Sequence, residues 1–467
     1  MRTRWPLIGA AVATVLAVTS IALSALRNPA VRPMDEKLLQ EYAGVYQWGE
    51  EAFLYLQLWN EFSGTNQLVA FDESGEVRTL YPTDRDRFFT GPGAAVRTAV
   101  ESRIEFQRDA SGKITSLTWR RDGATPRVAR RVEIERREDV AFRNGDVQLA
   151  GTLITPGSGA KHPAIILVHG SGPQGRESML PFARFLIRHG IAILGYDKRG
   201  FGGSTGDWNT ASFDDLAGDA VAAFEYLKTH SDIDRRRIGL LGVSQAGWIM
   251  PLAAVRAKDI AFLISVSGAG IPAAETTIDQ AQNEMRARGM KPQMVEQIIA
   301  ATKLQYEFAR TGEGWSEYAA AREKLAARIG QPPETFPGTP NHPYWGFIRR
   351  LYFYDPRPTL RRLQVPTLAL FGELDNNIVA GKNKAAWDAA LTAAGNRDYT
   401  SRILPKANHI QLEAKIGSNA EMASLQRFVP DYARTIREWL AKRISGFGAS
   451  STGPQPASID AGDRGNL

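Results

Sequence analysis

Ser244 stands in Gly242-Val243-Ser244-Gln245-Ala246-Gly247, directly after the apolar run Ile238-Gly239-Leu240-Leu241. A strand that stops at a serine among small residues, then resumes as the helix Trp248-Ile249-Met250-Pro251-Leu252, exposes a hydroxyl. Small neighbours let the chain turn sharply, so the Oγ projects from the sheet top and the next helix points its N-terminus at the same place. A hydroxyl held in this way can attack an acyl carbon if a base and oxyanion donors lie beside it. The string reads G-x-S-x-A-G, with Ala246 where a second glycine is usual.

Three partners are placed where that chemistry needs them. Upstream, Ala164-Ile165-Ile166-Leu167-Val168 reads as a buried strand and leads into His169-Gly170-Ser171-Gly172-Pro173. A glycine-rich loop there turns backbone N–H groups toward the serine, with Ser171 supplying one half of an oxyanion hole and Gln245 the other. Downstream, Pro366-Thr367-Leu368-Ala369-Leu370-Phe371 ends in Gly372-Glu373-Leu374-Asp375, which sets an acid, Glu373 or Asp375, on a loop at a strand end. Farther on, Ile403-Leu404 leads into Ala407-Asn408-His409. His162, His169, His189 and His230 precede the serine, and His342 sits in a proline-rich stretch, so only His409 follows the acid loop. The base is therefore expected at His409. His169 is expected to brace the oxyanion loop, and Asp197 to hold the Arg199-Gly200 turn by hydrogen bonds.

The chain order of serine, acid and histidine is that of the α/β-hydrolase triad, not that of chymotrypsin or subtilisin. Together with Tyr196-Asp197-Lys198-Arg199-Gly200-Phe201-Gly202-Gly203-Ser204, these motifs make the segment from about Val140 to Ser445 resemble an α/β-hydrolase. Within that superfamily it is most similar to bacterial esterases and to serine-aminopeptidase-like and dienelactone-hydrolase-like proteins. The resemblance implies Asp375 as the acid, because a shorter side chain two residues past the glycine matches the family pattern. It implies hydrolysis of small-molecule esters through a Ser244–His409–Asp375 triad and an acyl-enzyme, with no metal and no organic cofactor. The chain has no cysteine, which excludes every thiolate-based site. Two alternatives remain open. An aminopeptidase or acyl-peptide hydrolase would use the same triad but needs an acidic anchor for a free amine, for which Glu275, Glu284 and Glu313 are candidates. A ligand-binding protein without catalysis would leave the triad idle.

The N-terminus bears on location. Arg2 and Arg4 precede 22 uncharged residues, Trp5 to Leu26, within which Ala22-Leu23-Ser24 resembles a cleavage triplet. This reads as an export signal, or as an uncleaved anchor, since about 20 apolar residues span a bilayer. The protein is expected to be periplasmic or secreted, or attached to the membrane through residues 5–26. Absence of cysteine excludes a lipidated signal and structural disulfides. The net charge of +7 would fall to +5 without Arg2 and Arg4, and the remaining basic residues are scattered, so no nucleic-acid partner is expected. No motif specifies an oligomeric state.

The elements that position these residues follow from the hydrophobic pattern. Strand runs such as Ile191–Tyr196 and Ala261–Val266 alternate with helical ones, and Ser212-x-x-Asp215 opens a helix from Phe213 to Lys228. Such alternation predicts an α/β fold, a mostly parallel sheet covered by helices. Between about 268 and 363 it is interrupted by polar-amphipathic helices, roughly Thr277–Arg288, Pro292–Arg310 and Ser316–Arg328, where α/β-hydrolases insert a cap. The cap's aromatic end, Tyr344-Trp345, Phe347 and Tyr352-Phe353-Tyr354, can wall an acyl pocket or pack onto the sheet. Residues 34–132 form a separate β-rich unit with hairpin turns at Asp72-Glu73-Ser74-Gly75 and Asp109-Ala110-Ser111-Gly112. Its opening, Glu41-Tyr42-Ala43-Gly44-Val45-Tyr46, resembles small lipocalin-like barrels appended to bacterial hydrolases. Trp48, Tyr55, Trp59, Phe88 and Phe89 are expected to fill its core, with the lining of a ligand cavity as the alternative. The hydrolase-like domain is expected over 140–445, and the Gly-, Ser- and Pro-rich stretch 446–467 as a disordered tail.

Overall fold

A computed structural model describes residues 29–444, apart from 158, 160 and 331–334, together with Phe447. The expected export segment, and the tail apart from Phe447, lie outside the described residues. Contacts divide the chain into two compact units, one of residues up to Asp72 with Glu76–Arg131, the other of Glu73–Gly75 with the chain from Val132 onward.

The first unit begins with a short helix, Glu36–Tyr42, that the hydrophobic pattern did not announce. Its signal is the cap: the Asp35 carboxylate accepts the N–H of Leu38. Nine antiparallel strands follow. They are β1 (Gly44–Gly49), β2 (Ala52–Trp59), β3 (Gln67–Asp72), β4 (Val77–Thr79), β5 (Tyr81–Asp84), β6 (Arg87–Thr90), β7 (Ser102–Arg108), β8 (Ile114–Arg121) and β9 (Arg127–Val132). The sheet order is β4-β3-β2-β1-β9-β8-β7-β6-β5. Its two edge strands are separated in sequence by Leu80 alone, so the sheet must curl into a nearly closed barrel. The two expected turn strings join β3 to β4 and β7 to β8. At the second, Asp109 accepts the N–H groups of Ser111 and Lys113. Tyr55, Trp59, Phe88 and Phe89 are buried. Trp48 instead shares the lining of a cavity of about 170 Å³ with Leu54, Ala70 and Trp119.

The second unit is an eight-stranded sheet with helices. Its strands are β10 (Glu135–Asn144), β11 (Val147–Pro156), β12 (His162–Val168), β13 (Ala192–Tyr196), β14 (Ile233–Val243), β15 (Leu263–Val266), β16 (Thr367–Gly372) and β17 (Tyr399–Leu404). In the order β10-β11-β13-β12-β14-β15-β16-β17, the first two are antiparallel to their neighbours and the other six run parallel. Every residue of β12 is buried, which is why it reads as a continuous apolar run rather than an alternating one. The helix Phe213–Thr229 starts at a complete capping box between Ser212 and Asp215 and buries Leu216, Ala217, Ala220, Phe224 and Leu227. The β12–β13 crossover contains 3₁₀ segments, Leu180–Phe182 and Arg184–His189. Between β15 and β16 the chain leaves the sheet for helices Ala273–Ala287, Pro292–Thr311, Trp315–Ile329, Tyr344–Leu351 and Arg357–Leu360.

Register aligns the ends of the parallel strands. Val168 pairs with Gly242, Val243 with Val266, Val266 with Leu370, and Gly372 with Leu404. The loops after β12, β14, β15, β16 and β17 therefore leave the same edge side by side, which is where open α/β sheets place their ligands. No helix among the described residues is long and apolar enough to cross a membrane.

Candidate active site

Ser244 follows β14 with φ 60°, left-handed backbone that a residue with a Cβ adopts only at a cost of about 1–3 kcal/mol. Its N–H donates to Val266 O at 3.0 Å, fastening the turn to the end of β15. Packing decides which neighbours must be glycine. A Cβ on Gly242 would lie 2.4 Å from the Ala246 methyl and 2.8 Å from Val168 O, and one on Gly247 would lie 2.6 Å from the Gly268-Ala269 backbone. The Ala246 methyl, where a second glycine is usual, thus fits because Gly242 carries no side chain.

The loops after β16 and β17 bring an acid and a histidine together. His409 Nδ1 donates to Asp375 Oδ2 at 2.9 Å and lies 3.1 Å from Oδ1. The same carboxylate accepts the N–H groups of Asn377 and Ile378 at 2.8 Å each, and its side chain is fully buried. Glu373 is directed elsewhere: it accepts the N–H of Lys406 at 2.8 Å. Asn408 shapes the histidine loop by accepting the N–H groups of Ile410 and Leu412. With Nδ1–H committed to Asp375, the neutral imidazole keeps Nε2 as an acceptor.

Ser171 lies in the loop after β12, and Gln245 at the N-terminal end of helix Ala246–Arg256. Neither backbone N–H donates to an acceptor among the described residues. Lys198 ties these two segments together, since its ammonium donates to Gly170 O, Gly172 O and Gln245 Oε1. His169 is buried beneath the loop, edge-on to the Tyr196 ring, with Nε2 2.6 Å from Tyr196 O. Burial and the nearby Lys198 charge pull its pKa down to about 3, so it is neutral and Nε2 carries the proton.

Asp197 accepts from the backbone N–H groups of Arg176 and Gly203 and from the Arg176 guanidinium. These bonds outweigh its burial and hold its carboxyl below the usual range. Arg199 pairs with buried Asp219 at 2.6 Å. The cap aromatics divide in their use. Trp345 is buried among Phe308, Trp315 and Tyr318, and Tyr354 packs on Phe213, while Tyr344, Phe347, Tyr352 and Phe353 stay half-buried. Sequence reasoning assigned no part to Lys198, to Asn408, or to Gln411, whose Nε2 donates to Ser267 Oγ at 2.9 Å and links the histidine loop to the end of β15. Asn408 and Lys198 lie within the quoted motifs, but residue type reveals neither the bonds of Asn408 within its loop nor those of Lys198 to two others. Gln411 and Ser267, 144 residues apart, left no local signal.

A family model described as the alpha/beta hydrolase family matches residues 165–416. Esterase EstD of Thermotoga maritima is 23% identical over 321 residues, which cover 66% of this chain and 68% of the esterase. The quorum-quenching protein AidA of Acinetobacter baumannii is 30% identical over 128 residues, 27% of this chain and 42% of that protein. Among solved structures, a proline iminopeptidase-related protein of Thermus thermophilus aligns with a TM-score of 0.42 at 18% identity, covering 67% of this chain and 99% of the other.

Proposed function

Because this chain belongs to the alpha/beta hydrolase family, we propose that it is a serine esterase in which Ser244, His409 and Asp375 form the catalytic triad. The observation that carries this reading is the buried Asp375 carboxylate against His409 Nδ1, on loops that leave the same sheet edge as the strained Ser244 turn. His409 Nε2 takes the Ser244 proton as Oγ attacks the ester carbonyl, and Asp375 stabilises the imidazolium. The N–H groups of Ser171 and Gln245 receive the oxyanion, each such donor contributing about 3 kcal/mol to lowering the barrier. The tetrahedral intermediate expels the alcohol, protonated by His409, and leaves an acyl-enzyme. His409 then deprotonates a water that attacks the acyl carbon, and the acid departs as Ser244 recovers its proton.

Two of the three candidate amine anchors have other partners. Glu275 pairs with Lys382 at 2.5 Å, and Glu284 is held by Arg288, Ser418 and the N–H of Asn419. Glu313 is exposed. An ester needs no such anchor, and the similarity to an esterase supports the same choice. The test is a series of unactivated alkyl esters against peptides and aminoacyl-anilides. The best ester is expected to exceed every peptide in kcat/KM by at least about tenfold, or about 1.4 kcal/mol of transition-state binding. A peptide cleaved faster than every ester would move the reading to an aminopeptidase.

The proposal extends to location. The uncharged run Trp5–Leu26 behind Arg2 and Arg4 supports export, with the hydrolase domain outside the cytoplasm, either released or anchored. A reporter fused after Leu467 is expected to be active beyond the cytoplasmic membrane. Activity confined to the cytoplasm would overturn this.

A further inference from the structure

Lys198 lies in the turn after β13, yet it is 2% exposed and its ammonium ends between two loops that β13 does not carry. An ammonium has three N–H donors, and three acceptors surround this one: Gly170 O at 2.7 Å, Gly172 O at 3.1 Å and Gln245 Oε1 at 3.1 Å. Two belong to the loop after β12 and the third to the residue after Ser244. The Trp208 ring, 5.9 Å away, lies beside the charge. A cation removed from water in this way is costly to keep, so its three bonds call for an explanation beyond surface solubility.

Peptide geometry supplies one. In a planar trans peptide the C=O and N–H point in opposite directions. Gly170 O and the Ser171 N–H share one peptide unit, so an ammonium that fixes the carbonyl on one side fixes the N–H on the other. The same bond polarises the unit and strengthens its N–H as a donor. At the second loop, Lys198 anchors the side chain of Gln245, whose own N–H is the other donor of the proposed hole. Resting on the serine-esterase reading above, we propose that Lys198 is a positioning residue that locks both oxyanion donors, Ser171 N–H and Gln245 N–H, into one rigid hole. Neutral lysine keeps only two donors and no charge, so loss of its proton loosens the brace.

The charged surroundings set when that happens. Asp219 favours the ammonium, but its carboxylate is already bound by Arg199. On the flanking residues and loops, Asp197 is taken by Arg176, and His169 is neutral. Burial prevails and draws the Lys198 pKa down to about 7. The brace is therefore complete only well below pH 7 and is lost as pH rises through that value, giving kcat/KM an alkaline limb that belongs to Lys198.

The test compares wild type, Lys198→Met, Lys198→Arg and Ser244→Ala. Each is assayed for ester turnover from about pH 5.5 to 10 and for affinity toward an alkyl trifluoromethyl ketone, which adds to the serine and places an oxyanion in the hole. Lys198→Met is expected to lose about 30-fold in kcat and a similar factor in ketone affinity, with KM changed by less than about threefold and the alkaline limb gone. Lys198→Arg keeps a charge that does not titrate, so it retains more activity than Lys198→Met and also lacks the limb. If Lys198→Met does not fold, the limb in Lys198→Arg decides alone. Ketone affinity of Lys198→Met within about threefold of wild type, or an alkaline limb unchanged in either variant, overturns the proposal. Ser244→Ala separates the two levels. Wild-type ketone affinity in Ser244→Ala sinks the serine reading and the brace with it, whereas loss there with affinity kept in Lys198→Met sinks the brace alone.

Discussion

Ser244→Ala is expected to lower kcat for the best ester by about 10⁶, leaving only what the oxyanion donors and substrate binding supply. That factor corresponds to about 8 kcal/mol of barrier. Its size follows from the proposed role, in which Oγ forms the bond that becomes the acyl-enzyme and alanine offers no atom in its place. Stability is expected to hardly move. Ser244 sits at φ 60°, a strain that alanine shares, and the N–H bond to Val266 O survives the substitution. The variant should therefore fold with a Tm close to wild type, and steady-state turnover with an active-site-normalised concentration checks the loss. A residual rate within about a hundredfold of wild type would remove Ser244 from the centre of the mechanism.

The second large effect separates base from acid and one acid from the other. His409→Ala is expected to cost about 10⁵ to 10⁶ in kcat, because in the proposed triad the serine loses its proton acceptor. Asp375→Asn is expected to cost about 10⁴, since an amide cannot stabilise the imidazolium and can turn an N–H toward Nδ1, forcing the wrong tautomer. Glu373→Gln should cost less than about tenfold, because that side chain accepts a backbone N–H from Lys406 and not a proton of the imidazole. Rates for the three variants at one pH decide the matter. A Glu373→Gln loss larger than that of Asp375→Asn would make Glu373 the acid.

Much of this arrangement was legible because the constraints on it are local. Gly242 and Gly247 are glycines for steric reasons that sequence spacing carries directly, and strands such as β12 and β16 are apolar runs because both faces of the sheet are covered. The capping box at Ser212 and Asp215 marks its helix start within one residue. The amphipathic period places the cap helices to within a few residues. Edge strand β10 was not legible. Its residues Glu135 to Asp139 are charged or exposed and carry no alternation, and it pairs with β11 through backbone bonds that impose no pattern on side chains. The brace at Lys198 was invisible for a different reason. A lysine in a glycine-rich loop reads as solvated, and only the fold shows the carbonyls of one loop and the amide of another closing over it. The choice between Glu373 and Asp375 rested on a family pattern, and the geometry supplies a physical distinction, since one carboxylate meets the imidazole and the other a backbone N–H.

Mapping the site of covalent attachment tests the serine mechanism most directly. Wild-type protein treated with a fluorophosphonate should take up one adduct per chain, located by peptide mass mapping on Ser244, with turnover lost in proportion to labelling. Ser244→Ala should take up none. An adduct on Ser171 or Ser204, or labelling that persists undiminished in Ser244→Ala, would contradict the assignment of the nucleophile and the mechanism built on it.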